Sequence, residues 1–344
     1  MQLATEISQL QHRFEIPVEK LKLVDRLGYD LVFTSENTGS DVFTPLGYVL
    51  ACTERIGVGA SLAVTAARSP ACTASSFLTL SHIGKGRTVL AGIGNSSPTR
   101  AEGWHGRPWG RAQARLRDYV AIMRKVFAGD FPLSYEGAAL SQPYAGPDAT
   151  GAQPMSGLME PRPDIPILLG TGAPKMVRMT AEIADGWLSL GFAPGMMNTY
   201  RPMLEEGFAR SAKPKSLETF QIWSHVDVAV SDDVKAAMRP FKLFTARMVG
   251  GFKQLGKDVY KDQMVWRGYP EAAERVQELF LAGREDEAAD AVPDDYIDDG
   301  WLVGPIPRIA ERARRWVGAG PTGLVIRCDN LDVFAPIKKA VDGG

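Results

Sequence analysis

The chain has 344 residues, which is enough for one large barrel domain or two ordinary domains. Its share of 45% hydrophobic and 23% charged residues is typical of a soluble globular protein. A formal net charge of −1 gives no electrostatic reason to expect nucleic acid or an anionic membrane as a partner. The three cysteines, Cys52, Cys72 and Cys328, lie far apart and predict neither a disulfide framework nor a zinc site.

The N-terminal stretch 1–6 has neither a basic start nor an apolar core, so we expect no signal peptide. No window approaches ~18 uninterrupted apolar residues, which predicts that no helix spans a membrane. Together these patterns favour a cytoplasmic location.

The first part of the chain alternates strands with helices in units of about 30 residues. Helix 111–127 has the clearest apolar stripe of this part. The predicted strands are 3–7, 29–34, 56–65 and 87–93, and the predicted helices are 18–27, 43–52, 70–83 and 111–127.

Two segments interrupt this alternation. The stretch 131–163 is rich in Gly, Pro, Ala and Ser, and we predict a surface insertion there that has room for a hairpin. The stretch 232–300 is polar and mostly helical, and we predict a helical insertion between strands seven and eight. The remaining predicted strands are 165–169, 187–190, 220–230 and 323–327, and the remaining helices are 174–184, 196–209, 306–317 and 333–341.

Eight strands that alternate with helices predict a parallel sheet, and eight is the number that closes a barrel. An open doubly wound sheet would require a Gly-rich dinucleotide turn near the first strand, where the sequence instead has 6–9, Glu-Ile-Ser-Gln. We therefore predict a single (β/α)8 TIM-barrel domain over residues 1–344. In such barrels the chemistry lies at the carboxyl ends of the strands.

Polar residues follow the first two predicted strands. Glu6 lies at the end of the first strand, where a carboxylate is costly unless it is paired or protonated. Ser35, Glu36 and Asn37 directly follow the second strand, as residues of a surface turn or of a site in which Asn37 is a candidate cofactor contact. Glu6 and Glu36 are therefore candidate proton donors.

The third and fourth strands deliver small residues. The stretch of Ala60, Ser61 and Leu62 would let a flat ring lie against backbone. Asn95 and Ser96 follow the fourth strand and could hydrogen-bond such a ring.

The four histidines show no spacing typical of metal ligands, and we predict no metal site. His12 and His105 lie beyond strand ends and are candidate substrate contacts. His225 lies within the seventh strand, where it is either a substrate contact or a hydrogen-bonded core residue. His82 shares a helical face with Leu78, which indicates a structural residue.

The turn after the fifth strand consists of Gly170, Thr171, Gly172 and Ala173. It leaves backbone N–H groups at the positive end of the following helix, which suits a phosphate. A tight connection between strand and helix explains the two glycines equally well.

The sequence resembles the bacterial luciferase-like family of flavin and deazaflavin oxidoreductases over most of its length. The motif Gly-Thr-Gly-Ala-Pro of 170–174, followed by Ala-Glu-Ile-Ala-Asp-Gly-Trp of 181–187, is similar to the fifth strand and helix of that family. Stretch 34–43 and the segment from 56–59 to 68–70 resemble the branch that uses coenzyme F420, as in methylenetetrahydromethanopterin reductase.

This resemblance implies a luciferase-like TIM barrel that is a homodimer and holds the cofactor phosphate on residues 170–173. It also implies a non-proline cis peptide behind the cofactor ring, at Ala60–Ser61 or Ser61–Leu62. The flavin branch of the family instead uses FMN and oxygen for monooxygenation.

The chain departs from its relatives at the second strand, where an Asp-His pair common in this branch is replaced by Glu36-Asn37. Ser97 stands where the sugar-phosphate dehydrogenases have a glutamate, so a sugar-phosphate substrate is not favoured. Glu6 does match a first-strand glutamate of the reductase.

The sequence therefore predicts an F420-dependent oxidoreductase that passes a hydride between the deazaflavin ring and a small organic substrate. Glu6 or Glu36 would give or take the accompanying proton. The alternatives are an FMN-dependent monooxygenase and a non-catalytic barrel that binds either cofactor.

Overall fold

The computed structural model of the chain describes residues 1–8, 12–251 and 258–343. Its strands are β1 (Gln2–Ile7), β2 (Leu31–Thr34), β3 (Gly57–Ala60), β4 (Ala63–Val64), β5 (Val89–Gly94), β6 (Tyr135–Glu136), β7 (Ser141–Gln142), β8 (Ile167–Thr171), β9 (Gly186–Ser189), β10 (Gln221–Val230), β11 (Leu302–Gly304) and β12 (Gly323–Arg327). Parallel pairing runs β1-β2-β3-β5-β8-β9-β10-β12 and returns to β1. The predicted eight-stranded barrel is therefore confirmed.

The helices cover the outside of the barrel and extend over one end of it. They are α1 (Val18–Leu27), α2 (Phe43–Cys52), α3 (Pro70–Gly84), α4 (Ala112–Ala128), α5 (Pro174–Ile183), α6 (Met197–Phe208), α7 (Val234–Gly251), α8 (Val259–Trp266), α9 (Pro270–Leu281), α10 (Glu285–Asp290), α11 (Asp294–Gly300), α12 (Ile306–Arg314) and α13 (Phe334–Asp342). Among the described residues, no helix is both long and apolar enough to cross a membrane.

Two buried aromatic side chains fill much of the barrel interior. The rings of Phe33 and Trp223 meet edge to face, with their centroids 5.2 Å apart. A Cβ atom at Gly59 would lie 2.5 Å from the Phe33 ring, and one at Gly323 would lie 2.5 Å from the Trp223 ring. The glycines of β3 and β12 thus provide the space that the two large side chains occupy.

The two predicted insertions have different structures. In 131–163, strands β6 and β7 form the hairpin for which the sequence left room. In 232–300, helices α7 to α11 form a second hydrophobic cluster around side chains such as Val249, Met264 and Ile297. Residues 252–257 of this insertion lie outside the described residues.

The structure differs from the predicted elements at two strands. The third predicted strand, 56–65, is divided into β3 and β4, and the Ser61–Leu62 peptide between them is cis. Strand β11 was not predicted, since three residues are too few to produce a pattern. It pairs with Val228–Val230, the part of β10 that extends beyond the barrel.

Asp25 joins α1 to the turn before β3. Its carboxylate accepts hydrogen bonds from the backbone N–H groups of Glu54, Arg55 and Ile56 at 2.7–3.0 Å. Burial disfavours the charged carboxylate, but these three donors outweigh it and hold the pKa of Asp25 below its ordinary value. The ionised form of Asp25 therefore stabilises the fold.

We expect Asp25→Asn to lower the free energy of unfolding by about 2–3 kcal/mol near neutral pH, because an amide group cannot accept all three bonds. The stabilisation is complete above the unfolded pKa of about 3.9 and is lost as the pH falls through the lower folded pKa. Urea unfolding as a function of pH measures this stabilisation. Asp232→Asn, at an exposed position, is the control. A difference between wild type and variant that does not narrow in acid would contradict the assignment.

Candidate active site

A cavity of about 240 Å³ lies at the carboxyl ends of the barrel strands. The strand ends contribute Glu6, Ser35, Ser61 and the stretch 189–192 to its lining, together with His225, Asp227 and Arg327. Helices α7, α8 and α11 of the 232–300 insertion supply the facing wall. The cavity therefore lies between the barrel and the helical insertion, where barrel enzymes carry out their chemistry.

Glu6 is a buried residue of this cavity. The Ser35 hydroxyl lies 2.6 Å from Glu6 Oε1 and 2.8 Å from the carbonyl oxygen of Ser61. A hydroxyl has one proton, so Ser35 can donate to only one of these two oxygens at a time. Both contacts are hydrogen bonds at once only if the Glu6 carboxyl is protonated and donates to Ser35. The Ser35 hydroxyl therefore connects the Glu6 carboxyl group to the Ser61 backbone at the edge of the cavity.

The second oxygen of Glu6 is buried and has no hydrogen-bond partner among the described residues. His225 Nε2 lies 3.6 Å from it and Arg327 Nη1 lies 4.0 Å from it. Burial lowers the pKa of His225 more than the nearby Glu6 raises it, so the imidazole is neutral near pH 7. Glu6 thus has two basic neighbours but no direct bond to either.

Arg327 and Asp227 form an ion pair on the rim of the cavity. Arg327 Nη2 lies 2.6 Å from Asp227 Oδ2, which also accepts a 3.2 Å hydrogen bond from the indole N–H of Trp301. Burial opposes the charge on Arg327, but Asp227 and Glu6 outweigh it and raise the pKa of the guanidinium. The sequence analysis missed both residues, although Arg327 ends the eighth predicted strand and the strand-end rule would have selected it.

Lys20 is a third residue that the sequence analysis missed. Its buried ammonium group donates to the backbone carbonyl oxygens of Glu6, at 3.0 Å, and Cys328, at 2.9 Å. Burial lowers the pKa of Lys20, and Asp329 and Cys328 oppose that shift. Lys20 therefore fixes the ends of β1 and β12 beside the cavity. No sequence signal distinguishes it from the other charged residues of its helix.

The structure places Glu36, the other predicted proton donor, in a different environment. Its carboxylate is paired with Arg68 and accepts a 2.9 Å hydrogen bond from the backbone N–H of Val64. It does not contribute to the lining of the cavity that contains Glu6. These contacts give Glu36 a role in holding the end of β2 against β4.

The segment predicted to lie behind the cofactor ring has its cis peptide at Ser61–Leu62, one of the two positions implied by the resemblance. Ser61 lines the cavity, whereas Ala60 is completely buried. Leu62 packs on the apolar interior of the barrel, where Cβ atoms at Gly94 and Gly170 would lie 2.6 and 2.3 Å from its side chain. Of the three, only Ser61 can touch a molecule in the cavity.

The predicted polar contacts Asn37, Asn95 and Ser96 lie outside the lining of the cavity. Asn37 accepts a hydrogen bond from the backbone N–H of Thr38. The Asn95 amide accepts from Thr65 at 3.0 Å and donates to the carbonyl oxygen of Ala112 at 2.9 Å. The Ser96 hydroxyl accepts from Arg100 at 3.0 Å. In this structure these side chains connect strand ends to neighbouring loops.

The turn of Gly170, Thr171, Gly172 and Ala173 leads directly into α5, whose N-terminus has no side-chain cap. The Trp187 indole donates to the carbonyl oxygen of Thr171, and the Thr171 hydroxyl lies 2.9 Å from that of Thr180. A Cβ atom at Gly172 would lie 3.2 Å from Leu190, which also lines the cavity. The turn is thus rigidly held next to the cavity.

The structure separates the three predicted substrate histidines. His225 lines the cavity, but His12 is exposed and His105 ends the π-helical turn Thr99–Trp104, both outside the lining. No group of three or more potential metal ligands occurs within the described part of the chain.

Comparison with known proteins identifies the family. The sequence model of the luciferase-like monooxygenases matches residues 4–323. A protein of Mycobacterium tuberculosis, provisionally named a coenzyme F420-dependent oxidoreductase, is 37% identical over 316 residues, which cover 91% of either chain.

Two solved structures share the fold over nearly their whole length. The F420-dependent tetrahydromethanopterin reductase of Methanopyrus kandleri has a TM-score of 0.74 at 19% identity, and 99% of this chain and 98% of that chain are covered. An F420-dependent secondary alcohol dehydrogenase, bound to an F420–acetone adduct, has a TM-score of 0.73 at 18% identity with the same coverage. Because the family match spans almost all of its sequence, the chain belongs to the luciferase-like family of oxidoreductases.

Proposed function

We propose that the protein is an F420-dependent oxidoreductase that transfers a hydride between the deazaflavin ring and a small organic substrate. The observation that carries the proposal is the buried Glu6 carboxyl in the strand-end cavity, with one oxygen bound to Ser35 and the other without a partner. Hydride transfer to a carbonyl or similar carbon requires a proton at the neighbouring atom, and Glu6 is placed to carry it. The relative that is 37% identical supports F420 as the cofactor.

The residues present fit such a cofactor. The uncapped N-terminus of α5 at Ala173 would hold its phosphate, since backbone N–H groups there point outward at the positive end of a helix. Ser61 would lie behind its ring, and the unpartnered oxygen of Glu6 marks a polar group that the protein alone leaves unsatisfied. When bound, F420 supplies a carrier of two electrons as hydride, so the protein contributes chiefly binding and orientation.

Glu6 is the stronger of the two predicted proton donors. Ser35 can receive the carboxyl proton in a hydrogen bond while it donates to Ser61, and it can donate back when Glu6 is ionised. Ser35 can thus form a hydrogen bond with Glu6 in either protonation state of the carboxyl group. Glu36 is instead paired with the guanidinium group of Arg68 and lies outside the lining of the cavity.

A homodimer and a cytoplasmic location stay predictions from the resemblance and the sequence. Sedimentation of the purified protein would check the first.

Titration of the purified protein with F420 and, separately, with FMN tests the cofactor. The fluorescence of each ligand measures its binding. We expect F420 to bind tightly and FMN to bind weakly. A preference for FMN would overturn the proposal in favour of the monooxygenase alternative, which the family description includes. Binding of neither cofactor would show that the turn at 170–173 does not hold a phosphate.

We expect Glu6→Gln to reduce turnover by about 10²-fold or more, because the amide cannot exchange the proton. Affinity for F420 should change little. Stopped-flow oxidation of reduced F420 by an acceptor that the wild-type protein reduces gives the rate, and ligand fluorescence gives the affinity. A large loss of F420 binding with unchanged turnover would remove Glu6 from this role.

Glu36→Gln serves as the matched variant and has a different expected result. It removes the charge of a buried pair, so the free energy of unfolding should fall by about 3 kcal/mol while turnover of the folded protein is kept. Urea unfolding and the same kinetic assay measure both quantities. Unchanged stability together with lost turnover would instead assign the proton transfer to Glu36.

A further inference from the structure

The wall of the cavity that the helical insertion provides contains a fixed guanidinium group. Arg267, just after α8, lies with its guanidinium carbon 3.7 Å from the centroid of the Tyr296 ring and 6.0 Å from that of Trp301. Its Nη2 also donates to the backbone carbonyl oxygen of Tyr296. Stacking and this hydrogen bond set both the position and the plane of the group.

The neighbouring backbone is shaped around this side chain. A Cβ atom at Gly300 would lie 3.1 Å from Arg267 Nη1 and 3.4 Å from Nη2. A side chain at position 300 would therefore crowd the guanidinium group, which would have to shift by a few tenths of an ångström. Gly300 and Arg267 both line the cavity, so the space that the glycine leaves belongs to the site.

Arg267 differs from the other charged residues of the cavity in having no carboxylate partner. Arg327 is bound to Asp227 and lies 4.0 Å from Glu6, so its charge faces two carboxyl groups at the barrel rim. Within residues 1–8, 12–251 and 258–343, no carboxylate oxygen lies within 4.0 Å of the Arg267 guanidinium. One of its five N–H donors is used by Tyr296. A partly buried cation without a counter-ion favours an anion in the cavity.

Thr245 of α7 supplies a second unsatisfied polar group on the same wall. Its side chain is 4% exposed and lines the cavity, and its hydroxyl has no hydrogen-bond partner among the described residues. The lining also includes the apolar and aromatic side chains of Phe192, Met248 and Tyr260. The cavity thus combines an apolar body with a cationic end opposite the barrel rim.

We infer that Arg267 is the recognition residue for an oxyanion group of the substrate, with Thr245 as a second hydrogen-bonding group in the cavity. The substrate class is an organic molecule that has one carboxylate or phosphate group and an apolar part about the size of an aromatic ring. This inference rests on the proposed function for the reaction itself. It adds which end of the substrate the helical insertion binds. The reacting carbon would then lie at the barrel end, beside Glu6.

Binding of simple probes to the full chain tests the inference without turnover. Benzoate, phenyl phosphate and the neutral benzamide are titrated into the protein, with and without F420, by isothermal titration calorimetry. Trp301 stacks near the guanidinium, so quenching of its fluorescence gives a second readout. We expect saturable binding of at least one anion and weaker binding of benzamide. The preferred anion distinguishes a carboxylate from a phosphate group.

Variants locate the binding at Arg267. Arg267→Leu should weaken anion binding about 10- to 100-fold and leave benzamide binding unchanged. The anion affinity of Arg267→Lys should lie between those of the wild type and Arg267→Leu, because lysine keeps the charge but lacks the planar guanidinium group. Thr245→Val should weaken anion binding without lowering the melting temperature, since it removes a buried hydroxyl that has no partner in the protein. Arg247→Leu, on the exposed pair with Glu285, is the control and should match wild type.

The outcomes separate this inference from the proposed function. Anion binding that is equal in wild type and a folded Arg267→Leu variant, or benzamide binding as tight as that of the anions, overturns the inference. No saturable binding of any probe by the wild-type protein also overturns it. Failure of F420 to bind, while the anions bind through Arg267, overturns the proposed function and leaves the anion site established.

Discussion

The candidate site depends on the closure of the barrel between its first and last strands. Strand β1 pairs with β12 on one side and with β2 on the other, in a register that aligns Glu6 with Phe33. Because all eight strands are parallel, their carboxyl ends form one rim. Closure brings Glu6 and Arg327, which are more than 300 residues apart in sequence, to within 4.0 Å. Without this pairing Glu6 would not lie beside the ion pair of Arg327 and Asp227.

Much of the fold follows from local patterns in the sequence. Each of the eight predicted strands overlaps a barrel strand. Strands that are buried on both faces consist of short apolar runs, which are visible in the sequence. The division of 56–65 by the cis peptide at Ser61–Leu62 could be anticipated only through the resemblance. Strand β11 pairs with the part of β10 that extends beyond the barrel. This pairing depends on the tertiary structure, and three residues are too few to predict it from the sequence.

The site was less accessible to sequence reasoning than the fold. Position at a strand end indicated Glu6 and Ser61, and both line the cavity, as does His225 from within a strand. The same rule could not separate Glu6 from Glu36, because the difference lies in Arg68, a residue 32 positions further along the chain that pairs with Glu36. Arg267 could not be predicted as a site residue for a related reason. Its significance comes from the ring of Tyr296 and the absence of a Cβ atom at Gly300, neither of which leaves a periodic pattern.

Lys20 has a consequence for how the site can change. Its ammonium group binds the main-chain oxygens of residues 6 and 328 and not their side chains, so the strand ends are held whatever side chains those positions carry. The hydrogen bonds that join these two strand ends are thus separate from the side chains that line the cavity. A barrel joined through its backbone can change the side chains at its strand ends while these bonds are kept.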